Sequence, residues 1–96
     1  MKPSLSYERD LSERLKDPRR AAGYLNACLE QGDDSDFLVA LRDVARVHGG
    51  VRQLAKKAGL SPEHLFKMLS KEGNPRLHSL RQLMDVMGFK LVLKAA

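Results

Sequence analysis

The chain has 96 residues, a length that bounds it to one domain with at most an appended arm. Hydrophobic residues make up 43%, enough for a modest core, and a body this small gains from dimerisation. No run of about 18 apolar residues marks a membrane span, and the single cysteine, Cys28, excludes an internal disulfide and fits a reducing cytoplasm.

The net charge of +5 is unevenly placed. Residues 1–48 carry 8 Lys/Arg and 9 Asp/Glu, a net of −1, whereas residues 49–96 carry 9 and 3, a net of +6. A basic half is the electrostatic footprint of nucleic-acid binding. The plain alternative is a solvated basic face.

Met1-Lys2-Pro3-Ser4 leads into charged sequence rather than an apolar signal region, so a cytoplasmic location is expected. Residues 1–16 read as an N-terminal arm. Leu11 and Leu15 are four apart and suit one apolar edge of a short helix. The dense charge around them suits an arm that folds on a partner, or a frayed terminus. Residues 17–96 read as one DNA-binding domain. Asp17-Pro18 opens its first helix, with Asp as cap and Pro in the first turn. Ala21, Leu25, Cys28 and Leu29 line one face, and Gly32 ends the helix. Cys28 lies on that apolar stripe and has no catalytic partner beside it.

Asp33-Asp34-Ser35-Asp36 supplies caps and negative charge to the next helix, which runs to about His48. Phe37, Leu38, Leu41, Val44, Ala45 and His48 recur at three and four, as a core stripe does. The acids lack the spacing of a calcium loop, and the histidines have no metal spacing. No metal or cofactor site is therefore read, and nothing points to an enzyme.

After Gly49-Gly50 comes the most informative stretch. Leu54, Ala55 and Ala58 share a face of one short helix. Gly59 stops it cheaply in the left-handed conformation. Ser61 caps and Pro62 starts a second helix, whose stripe is Leu65, Met68 and Leu69. Two helices over a three-to-four-residue turn containing Gly form a helix-turn-helix. An ordinary helical hairpin is the other reading. In a helix-turn-helix the second helix enters the major groove. Its outward residues Pro62, Glu63, His64, Phe66 and Lys67 are the base-reading set. Lys67 suits guanine O6/N7, Glu63 suits cytosine N4, and Phe66 suits a thymine methyl or else packing on the final helix. Arg52, Lys56, Ser61, Ser70, Lys71, Asn74 and Arg76 are placed for phosphates.

Lys71-Glu72-Gly73-Asn74-Pro75 is a turn. A last helix spans about Leu77 to Met87, with Leu77, Leu80, Leu83, Met84 and Met87 inward, and Gly88 closes it. Phe89 to Lys94 alternates in part and reads as a strand. A lone strand has an open edge, so Phe89, Leu91, Val92 and Leu93 are expected to pair with a two-fold mate. The fold expected is all-α: a small bundle of about five helices containing a helix-turn-helix, with a C-terminal β-strand pairing in a dimer.

Several segments carry a resemblance. Leu15-Lys16-Asp17-Pro18, Ala22-Gly23-Tyr24-Leu25-Asn26-Ala27-Cys28-Leu29-Glu30-Gln31-Gly32-Asp33, Phe37-Leu38-Val39-Ala40-Leu41-Arg42-Asp43-Val44-Ala45-Arg46 and Gly73-Asn74-Pro75-Arg76 resemble the addiction-module antidote proteins, HigA-like antitoxins with an Xre-type helix-turn-helix. The resemblance covers roughly residues 7 to 94, with Gly23 and Cys28 standing where the family pattern has Ala. It implies an antitoxin that binds and neutralises a small RelE/HigB-type ribonuclease toxin. It also implies repression of the shared promoter by a homodimer on a palindromic double-stranded DNA operator. A phage-type repressor without a toxin, and a protein-interaction module that has lost DNA binding, are the alternatives.

Overall fold

The computed structural model describes residues 5–96 and contains six helices: α1 (Leu5–Leu15), α2 (Pro18–Gln31), α3 (Asp34–Val47), α4 (Val51–Ala58), α5 (Pro62–Met68) and α6 (Leu77–Met87). The described residues contain no strand. None of these helices is long and apolar enough to cross a membrane.

Local chemistry starts and stops the helices. The Asp17 carboxylate accepts the Arg19 N–H at 3.0 Å, and Pro18 takes the first helical position of α2. Asp33 and Asp36 form a reciprocal capping box at α3: the Asp36 N–H donates to Asp33 at 3.0 Å, and the Asp33 N–H donates to Asp36 at 3.1 Å. The Ser35 hydroxyl donates to the same Asp33 oxygen at 2.7 Å. That bond, with the Asp36 N–H behind it, holds the Asp33 carboxyl below its ordinary pKa.

One core runs through the molecule. Leu41 and Val44 of α3, Leu54 of α4, Leu65 of α5 and Leu83 of α6 are all fully buried in it. α3 packs against α1, α2 and α4, and α4 packs in turn against α5 and α6. The α3 stripe lies as its spacing predicts, except that His48 is half-buried and caps the helix.

Four expectations change. Of the segment read as a charged arm, residues 1–4 lie outside the described residues and Leu5–Leu15 form α1, which packs on α2 and α3. Leu15 is buried there, Leu11 packs against it, and the His48 imidazole donates from Nε2 to the Leu15 carbonyl at 2.7 Å. Leu29 turns to the flank of α2 and is 53% exposed, because the last turn points Cys28 inward instead. Leu77 is 64% exposed, because the inward face of α6 runs along Ser79, Leu83 and Met87 and leaves the first residue on its flank. The strand expected from Phe89 to Lys94 is not formed. A ladder needs a second extended segment, and the described residues offer none. Gly88 caps α6 in the left-handed conformation, and the Phe89 N–H donates to the Met84 carbonyl at 2.8 Å. The Phe89 ring then packs 5.8 Å from that of His48, and the chain beyond it forms an irregular tail.

Candidate nucleic-acid interface

The α4–turn–α5 unit is built by its connecting residues. Gly59 caps α4 at φ 73°, ψ 27°, a conformation in which any side chain is strained. The Leu60 N–H then closes the turn onto the Ala55 carbonyl at 2.9 Å. Ala55 is fully buried, and its small side chain lets α5 approach. The Ser61 hydroxyl oxygen accepts the His64 N–H at 3.1 Å, and Pro62 occupies the first turn of α5. Leu65, Met68 and Leu69 face the core. The opposite face of α5 is thereby fixed outward.

That outward face carries the base-reading candidates. Glu63, His64, Phe66 and Lys67 are exposed, Phe66 by 45%, and Pro62 is half-buried at the helix start. The phosphate candidates divide. Arg52 and Lys56, one turn apart, lie on the exposed side of α4, and Ser61, Asn74 and Arg76 are exposed as well. Ser61 keeps its hydroxyl proton for a phosphate oxygen, since its capping bond uses only a lone pair. Ser70 is half-buried and donates its proton to the Lys67 carbonyl at 2.8 Å. Lys71 lines a shallow cleft with Tyr24, Cys28 and Asp36 of α2 and α3, so its side chain borders a second surface. Gly73 shapes the turn leading to Asn74 and Arg76, since a Cβ there would collide with the Met68 carbonyl.

The electrostatics sharpen the pattern. Among the described residues, the ion pairs Arg14–Asp10, Lys16–Glu13 and Arg20–Asp17 all lie between residues 10 and 20. None involves a cation of residues 49–96. The basic half therefore presents charge that its own carboxylates do not neutralise. Two features escaped the sequence reading. Gly50 heads α4 and Arg76 heads α6 with no side-chain cap, leaving first-turn N–H groups for an outside acceptor. The signal for α4 was available: Gly49-Gly50 has no side-chain oxygen to cap with.

The remaining chemistry is sparse. Cys28 is half-buried against the core. Burial pushes its thiol pKa up, and the nearby negative charges of Asp36 and Asp43 add to the rise, which makes it a poor nucleophile at neutral pH. Among the described residues no group of His, Cys, Asp and Glu is arranged to hold a metal ion.

Comparison with known proteins supplies what geometry does not. Residues 6–95 match the model of a family described as "probable addiction module antidote protein". An uncharacterized protein of Haemophilus influenzae (strain Rd) is 33% identical over 81 residues, covering 84% of this chain and 82% of that relative. No solved structure matches.

Proposed function

Because the chain belongs to the family of probable addiction module antidote proteins, we propose that it is the antitoxin of a type II toxin–antitoxin module. On this reading it binds a small cognate toxin of the RelE/HigB type. It also represses the promoter of both genes as a HigA-like repressor with an Xre-type helix-turn-helix. The observation that carries the DNA-binding part is the exposed face of α5, held outward by the Gly59–Ser61 turn within a half whose cations make no ion pair among the described residues. α5 enters the major groove with Glu63, Phe66 and Lys67 at the base edges. Ser61, Arg52, Lys56, Asn74 and Arg76 hold phosphates on either side and set the register without reading sequence. A palindromic operator is matched by a homodimer, with Leu91, Val92 and Leu93 near its axis.

The toxin-binding surface on this reading is the near-neutral half formed by α1, α2 and α3, since the basic half faces DNA. The test is co-expression in bacteria with the protein of roughly a hundred residues encoded beside the chain's gene. Rescue of growth, and co-purification of the two proteins, is the expected result. Arrested growth despite soluble antitoxin contradicts the antidote role; operator binding retained in that case leaves a plain repressor.

A further inference from the structure

The basic half holds nine Lys/Arg. Five of them, Arg52, Lys56, Lys67, Lys71 and Arg76, are candidates for base or phosphate contacts, whereas Lys57, Arg81, Lys90 and Lys94 have no role so far. Two of these four meet in the fold. Arg81 of α6 and Lys90 of the tail line one groove, together with His78. All three are exposed, and neither cation makes an ion pair among the described residues. Asp85 lines the groove as well, which leaves two cations against one carboxylate. Leu77 and Leu91, both exposed, complete the lining that matters here. A concavity of net positive charge attracts an anion, and the mixed lining narrows which one. Free phosphate has no use for the leucines, and an apolar peptide has none for the cations. A sugar–phosphate backbone presents anionic oxygens and apolar deoxyribose faces side by side.

The groove also continues the candidate interface. α6 packs against α4, which carries Arg52 and Lys56, and α6 starts from Arg76 as its N-cap. His78 and Arg81 follow Arg76 by roughly 3 and 7.5 Å along the helix axis, at about 1.5 Å per residue. A backbone held at Arg76 therefore meets further donors along α6. We propose that the α6–tail groove holds the sugar–phosphate backbone of the operator beyond the stretch that α5 reads. Arg81 and Lys90 bind phosphate oxygens, His78 donates to one, and Leu77 lies against deoxyribose. This contact rests on the DNA-binding reading above and adds His78, Arg81 and Lys90 to its phosphate set. With Leu91 near the two-fold axis, the backbone within reach is that between the half-sites. Such contacts fix register and affinity without reading bases.

Anisotropy titrations of the full chain test it, on the operator and on a scrambled duplex, across about 50 to 200 mM salt. Arg81→Ala and Lys90→Ala change exposed residues and should leave helicity by circular dichroism unchanged. Each should weaken binding to both duplexes alike and make the plot of log affinity against log salt shallower by about 0.9. The deficit at the lowest salt should then exceed that at the highest by about 3.5-fold. Arg81→Lys should keep the wild-type slope. Arg19→Ala removes an exposed cation of α2 and should keep it too. In hydroxyl-radical footprints, the Arg81→Ala/Lys90→Ala double variant should lose protection between the half-sites and retain it within them. Wild-type slopes and footprints in both single variants and the double variant, on a chain that prefers its operator, would overturn the groove contact alone. An equal loss of slope in Arg19→Ala would overturn it too, by assigning the effect to net charge. A wild type that binds neither duplex would overturn the DNA-binding reading and the groove contact together.

Discussion

The two halves of this small bundle treat charge in opposite ways. Between residues 10 and 20 the cations pair with carboxylates three or four residues away, and the acids at the start of α3 are bound up in its capping box. From residue 49 onward the cations pair with nothing among the described residues, and two helices begin without side-chain caps. Exposed ion pairs contribute little to stability, so the contrast is not one of fold strength. It separates a segment, residues 10–20, whose ion pairs are local from a half whose cations make no ion pair among the described residues.

The contrast in charge overlies a shared core, and that is the first place to break it. Leu41 of α3 and Leu65 of α5 are both fully buried in one cluster. Leu41→Ala and Leu65→Ala should each cost about 2–5 kcal/mol, in a single urea transition seen alike by circular dichroism and tyrosine fluorescence. Two separated transitions would mean that the halves fold independently.

A smaller effect is expected at the face presented to DNA. Lys67→Ala should cost about 1–3 kcal/mol at one base step and relax discrimination there, measured against operator variants. Equal losses on specific and random duplexes would move Lys67 to the phosphate set. Ser61→Ala should cost about 1 kcal/mol of stability, because the His64 N–H loses its acceptor; an unchanged melting temperature would show that water replaces the cap.

The smallest effect tests the capping box at the start of α3. The folded pKa of Asp33 is depressed. Its stabilisation is therefore present above the ordinary carboxylate range and is lost as the pH falls through the lowered value. Asp33→Asn retains a capping oxygen and should flatten that part of the acid-denaturation curve. An identical acid limb in the variant would assign the proton uptake to other carboxylates.

What the sequence disclosed followed how local each signal was. The turn between α4 and α5 was legible because Gly59, Ser61 and Pro62 each have one dominant local use, and the Asp33-to-Asp36 cap was legible for the same reason. Leu11 and Leu15 were visible as an apolar edge. Their docking was not, because it depends on His48 reaching a carbonyl 33 residues away. The tail misled for a different reason. Alternation reports which side chains are apolar, whereas a strand also needs a neighbour, and Phe89 turns inward instead. Of the candidate site, the sequence showed which residues of α4 and α5 face outward. That Lys71 borders the α2–α3 cleft arises only from packing, whereas the Ser70 bond to the Lys67 carbonyl is local and is one of several a serine at a helix end can make.

The central claim is that the unpaired basic half reads a DNA sequence. The most direct measurement is fluorescence anisotropy of the duplex upstream of the chain's own gene, against a scrambled duplex, at two salt concentrations. The account predicts a preference of about 10³-fold or more, with affinity falling steeply as salt rises. Equal and weak binding to both duplexes, by a chain confirmed as folded and dimeric, would contradict it and reduce the basic half to a solvated surface.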